Sequence, residues 1–515
     1  MRTRAAALLL VFLAPLVHAA DAKQIAKLIK QLSDKKDDKR IDASYELVDM
    51  KVPEAVPALI VALRDPVKEV RYNAAGALWN LEEAARPAVT ELTKRLEDPA
   101  PDVRLQAAGA LYGLDAALPQ VIGALKTVMR DGDPDDRKRA KELLENAGSG
   151  GLQVAAQDGQ LEVVRGLLDG GVDVNTKNKR SEKTALHHAA AQGHAEVVKL
   201  LIEKGADVAA TDNEQNQPIH LVAYKGSVPA TQALLDAKAD PNAANRGRMT
   251  PLHIAAAEGQ KPMVELLLAR GANAKAKAQQ GESPLHWAAM KGQTEIVLLF
   301  LGKGLDANLG DEKGQGPIFY AANGGHTELV KLLLDKKAAL RATGMMKDMA
   351  GTPLHDAARG GHLATIELLL ARGVPTDIGE FGKTPLHVAA GEGQVEAIKL
   401  LLAKGMKVDG VIPQMGGETP LFDAVFQGKL EAARVLIEKG ASVKIKEAGQ
   451  GRTPLHQVMN HGNFDDNRRA IAVLLLDKGA DVNARDNEGK TPLSLARENR
   501  NDAAVALLRQ RGGTE

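Results

Sequence analysis

The sequence predicts an all-α protein built as a double solenoid: a short helical array, then a long one with β-turn or hairpin tips. Two recurrences predict it. From about residue 149 to the end, words of the form Thr-Pro-Leu-His-x-Ala-Ala return about every 33 residues. Between 21 and 148, words of the form Asp-Pro-x-x-x-Val-Arg-x-x-Ala-Ala return at an offset of 33. The composition, with 3% aromatic residues and no cysteine, suits a chain that grows by stacking copies rather than around one large core.

Residues 1–20 read as a secretory signal peptide. Arg2 and Arg4 form a basic start, Ala5 to Val17 an apolar stretch, and Val17-His18-Ala19-Ala20 a small-residue cleavage site, with the cut after Ala19 or Ala20. The apolar stretch is shorter than the ~20 residues a spanning helix needs, so no membrane span is expected. Without cysteine there are no disulfides and no thiol chemistry. The formal net charge of +1, from 67 basic and 66 acidic residues, offers no electrostatic case for nucleic acid.

In residues 21–148, Asp65-Pro66 through Val70-Arg71 to Leu78 is echoed by Asp98-Pro99 through Val103-Arg104 to Leu111. Weaker copies hold Asp131, Arg137, Ala140 and Leu144, and, before the first, Arg40, Ala43 and Leu47. The pattern resembles HEAT repeats, about four of them. That resemblance implies paired helices, with the arginines and aspartates bonded between neighbouring repeats. At Asn146-Ala147-Gly148-Ser149-Gly150-Gly151 three glycines and a serine read as a short flexible link, or as an ordered one if the two solenoids dock end to end.

In the long array, Thr384 suits a helix N-cap and Pro385 the first helical position. Leu386 is apolar, Ala389 and Ala390 admit a close neighbour, and Gly393 permits the left-handed residue of a tight turn. The second helix carries Val395, Ile398, Leu400, Leu401 and Leu402. It reads as apolar all round and therefore buried between copies of itself. Equivalents of Pro385 fall at Ala185, Pro218, Pro251, Pro284, Pro317, Pro353, Pro420, Pro454 and Pro492, and a degenerate copy at Leu152 precedes them. Period and motif resemble the ankyrin repeat, about eleven copies over 149–515 with atypical first and last ones. The resemblance implies non-catalytic binding of protein partners on the concave face and the turn tips.

No catalytic constellation emerges, and no cofactor or metal is expected. Of 13 histidines, seven (His187, His220, His253, His286, His355, His387 and His456) occupy the motif slot. Three more (His194, His326 and His362) follow the inter-helix glycine. There is no His-Glu-x-x-His, and a P-loop fails because Asp377 and Ala484 stand where its first glycine belongs before Gly382-Lys383-Thr384 and Gly489-Lys490-Thr491.

Candidate partner-binding residues are apolar side chains in slots that are otherwise polar or small. Tyr224, Met290 and Phe426 lie just before inter-helix glycines. The tips before Pro353 and Pro420 are long and carry Met345, Met346 and Met349, and Val411, Ile412 and Met415, with Phe381 between them. Three copies depart from the pattern: Phe422 and Ser494 replace the histidine in two of them, and in the third Gly316 replaces the capping threonine and Phe319 the histidine, which predicts a soft point there. The sequence thus predicts an exported interaction scaffold, in the periplasm of a Gram-negative bacterium or outside the cell. The alternatives are a secreted effector that binds host proteins, and a HEAT-like lyase with an ankyrin targeting arm.

Overall fold

The computed structural model describes residues 22–114, 116, 118–342, 351–376, 383–411, 417–460 and 464–515. Residues 1–20, read above as a signal peptide, lie outside them. Among the described residues the regular structure is helical, with no strand. The chain divides into two compact units, Met1–Ala239 and Asp240–Glu515.

The first unit opens with four helix pairs: α1 (22–31) and α2 (Asp37–Met50), α3 (Val56–Ala62) and α4 (Lys68–Asn80), α5 (Val89–Arg95) and α6 (Pro101–Gly113), α7 (Leu118–Asp131) and α8 (Pro134–Gln157). Alternate helices pack on one another, α2 on α4 and α4 on α6. The arginine–aspartate ladder expected from the repeated word is present. Arg40 donates from Nε and Nη2 to the two carboxylate oxygens of Asp65 at 2.6 and 3.1 Å, and Arg71 does the same to Asp98 at 2.8 and 3.0 Å. Each aspartate also accepts the backbone N–H of Val67 or Ala100. One carboxylate therefore serves a turn and a neighbouring repeat together. The third rung is loose: Arg104 Nη2 stands 3.7 Å from Asp131.

The link predicted at 146–151 is helical. Asp133 caps α8 by accepting the N–H of Asp136 at 2.8 Å, Pro134 takes the first position, and the helix runs 24 residues to Gln157. The boundary drawn between 148 and 149 thus falls inside α8. Glycine disfavours a helix interior by about 1 kcal/mol each, but tertiary contacts override that preference. The beginning of α8 completes the fourth pair against α7 and α6, and its end is the first helix of the next array, packed on α9 (Leu161–Asp169). Leu152 is buried there, and Gln153 Nε2 donates to the carbonyls of Thr176 and Lys183, both at 3.2 Å. α7 also packs on α9, where the fully buried Ile122 closes over Gly170.

Two further helix pairs finish the first unit, Ala185–Gln192 with Ala195–Glu203 and Pro218–Lys225 with Val228–Asp236. The second unit repeats the arrangement from Pro251–Ala257 with Lys261–Ala269 to Pro492–Glu498 with Asp502–Gln510. In most pairs the first helix buries its leucine and alanines, as Leu386, Ala389 and Ala390 do. The second helices differ from the all-round burial expected of them. In Val395–Ala403 only Ala397, Ile398 and Leu401 are buried, while Val395, Leu400 and Leu402 are half-buried. Gly292 shows why glycine ends a first helix: its φ is +70°, and a Cβ there would stand 2.5 Å from the ring of His326.

Candidate protein-binding surface

The face that could meet a partner is positioned by a bond set repeated down the array. At the start of most first helices the N-cap and the histidine three residues later form a reciprocal capping box, as in Thr184–His187, Thr250–His253, Ser283–His286 and Thr384–His387. The cap's backbone N–H donates to histidine Nδ1 at 3.1–3.2 Å. Nδ1 is therefore an acceptor and Nε2 carries the proton. Nε2 donates to a carbonyl of the following tip: His187 to Asn216 at 3.0 Å, His253 to Glu282 and His286 to Gln315 at 3.1 Å, His387 to Glu418 at 3.2 Å. Burial holds His187, His253 and His387 down to about 4 and lowers His286 and His456. These neutral rings are structural pins rather than acid–base groups.

A second set ties first-helix ends together. His194, His326 and His362 donate from Nε2 to the carbonyls of Gln157, Met290 and Asn323 in the preceding repeats, at 2.8–2.9 Å. Gln293 and Gln394 fill the same role with side-chain amides. Among the described residues no group of three or more histidine, cysteine, aspartate or glutamate side chains could hold a metal ion, and no helix is long and apolar enough to cross a membrane.

Of the residues singled out from sequence, Tyr224 ends its helix in the first unit and is 50% exposed. In the second unit Met290 is half-buried at the end of Pro284–Met290, Phe426 is 45% exposed at the end of Pro420–Phe426, and Val411 is 52% exposed on a tip. Val411 lies on the tip that leads into the helix ended by Phe426, and Met290 lies on an earlier repeat. Met345, Met346, Met349, Phe381, Ile412 and Met415 lie outside the described residues.

The residue after the slot histidine is a feature the sequence reading passed over. That position holds Ile254, Trp287, Tyr320, Asp356, Val388, Asp423 and Gln457 down the second unit. Tyr320 donates to Asp311 Oδ2 at 2.8 Å, and its ring meets His286 edge-on at 5.1 Å. Asp356 pairs with Arg359, and Asp423 with Lys383 from the tip one repeat earlier. A charge recurring in a column otherwise uncharged was the available signal.

Helix pairs with capped turns and inter-repeat histidine bonds define a stacked-repeat binding protein. The family model described as ankyrin repeats (3 copies) matches residues 152–245, 219–311, 285–379, 373–447 and 443–514. The chain belongs to the ankyrin repeat family. An armadillo/β-catenin-like repeat model matches residues 50–81, in agreement with the paired helices there. The solved human ASB11 ankyrin repeat domain is 29% identical to this chain, with a TM-score of 0.39 over 45% of this chain and 100% of that one. No curated protein matches significantly.

Proposed function

We propose that this chain is a non-catalytic scaffold that binds a protein partner through the first-helix ends and tips of its ankyrin array, acting in the periplasm or outside the cell after signal-directed export. Ankyrin repeats indicate protein–protein interaction, and the observation that carries the reading is the pair Tyr224 and Phe426. In a chain with 3% aromatic residues, two aromatic rings stand about half exposed in the same slot of two repeats. Partly exposed aromatics of this kind supply binding energy at interfaces.

The experiment is affinity capture with the chain from residue 21, from periplasmic extract and from culture medium, with mass spectrometry of the mature N-terminus. A Tyr224→Asp, Phe426→Asp variant and a Met346→Asp, Phe381→Asp variant run beside it, each checked for an unchanged thermal melt. Loss of the partner from either folded variant supports the reading and assigns the contact. Retention by both overturns these sites, and an uncut leader overturns export.

A further inference from the structure

One pocket of the second unit holds a carboxylate that the chain leaves half-satisfied. The pocket has a volume of about 230 Å³ and lies between the helices Pro385–Glu392 and Pro420–Phe426, with Arg359, Lys383, Asp423 and Gln427 in its lining. Asp423 is carried one residue past Phe422, and its side chain is only 9% exposed. Lys383 Nζ donates to Oδ1. Oδ2 is shut away from water and has no hydrogen-bond partner. Nor does the hydroxyl of Thr419, the N-cap of the same helix, because Phe422 stands where a histidine would receive it.

A buried carboxylate oxygen without a donor is costly. The resident Lys383 bonds only Oδ1, whereas a guanidinium is a planar fork matched to both oxygens at once. The surroundings favour a cation over an anion. Arg359 is engaged by Asp356 and Lys383 by Asp423, and both aspartates are buried. An incoming carboxylate would have to strip one of those pairs. Burial raises the carboxyls of Asp423 and Glu418, and in Glu418 the charge of Asp423 adds to the rise. The volume suits one side chain, below the ~300 Å³ at which sites for drug-sized ligands begin.

We propose that this pocket takes the guanidinium of an arginine on a protein partner, which displaces Lys383 Nζ and closes both oxygens of Asp423 with parallel N–H···O bonds. The inference rests on the scaffold reading above and gives that scaffold a chemical preference. Lys383, about one-third exposed, is the resident stand-in that swings out.

The test titrates the full chain with three capped tripeptides, Gly-Arg-Gly, Gly-Lys-Gly and Gly-citrulline-Gly, by NMR at low ionic strength. The arginine peptide is expected to bind at least tenfold more tightly than the other two. Lys383→Met, which removes the competitor, should strengthen that binding several-fold, and Asp423→Asn should abolish it. Equal binding of arginine and citrulline peptides overturns the proposal, as does weaker binding to Lys383→Met. If Asp423→Asn fails to fold, the direction of the Lys383→Met change decides. Binding retained by a folded Asp423→Asn also overturns it. Partner capture by the wild-type chain with no arginine preference would sink this pocket alone and leave the scaffold reading intact.

Discussion

Trp79 lies across Gly109 of the following helix pair so closely that a Cβ on Gly109 would stand 2.6 Å from its ring. Gly76 occupies the equivalent slot one repeat earlier, yet a Cβ there would meet only Gln106, at 3.4 Å. Both glycines sit inside helices, Gly76 in α4 and Gly109 in α6, where alanine is favoured by about 1 kcal/mol. Gly76→Ala is therefore expected to stabilise the first unit by about 0.5–1 kcal/mol. Gly109→Ala should be neutral or destabilising, because a ring rather than a flexible side-chain end must move. Urea midpoints of the two variants check this; equal gains would refute the packing account.

Folding of the ankyrin array should weaken on mild acidification. The unfolded histidines take a proton near their ordinary value of 6.5, whereas burial holds His187, His253 and His387 near 4. Between those values the unfolded chain binds more protons, so stability falls as pH drops from about 6.5 towards 4. At about 1.4 kcal/mol per pH unit, each histidine loses on the order of 3 kcal/mol over that range. Denaturation at a series of pH values should show this slope. His387→Asn should lower stability at pH 7 and make the slope shallower.

The repeat period made most of this fold legible, because one motif states cap, first turn, small-residue contact and stop together. Thr384, Pro385 and Gly393 each do in the structure what their chemistry dictates. Of the two readings open for 146–151, the ordered one holds: glycine content reports local preference, whereas α8 is held by packing at both its ends. Second helices were misread for a related reason: Leu400 and Leu402 look like core residues, but a stack one repeat thick buries only one face completely. The Asp423–Lys383 pair was illegible because its partners are 40 residues apart, and only stacking brings a tip to the next repeat's helix.

Gly316 offers a place to strengthen the array. It is the N-cap of Pro317–Asn323 with φ −86° and ψ 176°, ordinary extended backbone, and a Cβ would have its nearest neighbour at 3.5 Å. A serine hydroxyl there could accept the N–H of Phe319 as other caps in this chain do, and the unfolded chain would lose glycine's freedom. Gly316→Ser should add about 0.5–1 kcal/mol. In the wild-type chain the amides of this helix should exchange faster than those of Pro385–Glu392, although the Tyr320–Asp311 bond limits the difference. Hydrogen exchange of both helices in both proteins measures it.

Ile122 joins the HEAT-like and ankyrin parts of the first unit. It lies on α7, is fully buried, and its Cγ2 would stand 2.9 Å from a Cβ placed on Gly170 at the end of α9. Val121, Leu125 and Val128 of the same helix face the core of the first array, so α7 is apolar on two sides for two neighbours. Truncation at Ile122 removes contact with the ankyrin side while those three residues remain. Ile122→Ala is expected to cost about 2–4 kcal/mol. The loss should appear as earlier exchange of α9 amides rather than of α4 amides. Limited proteolysis should then cut within α8 before it cuts the ladder of Arg40 and Arg71. If α4 and α9 lose protection equally, the unit unfolds as one body, and Ile122 is simply part of its core.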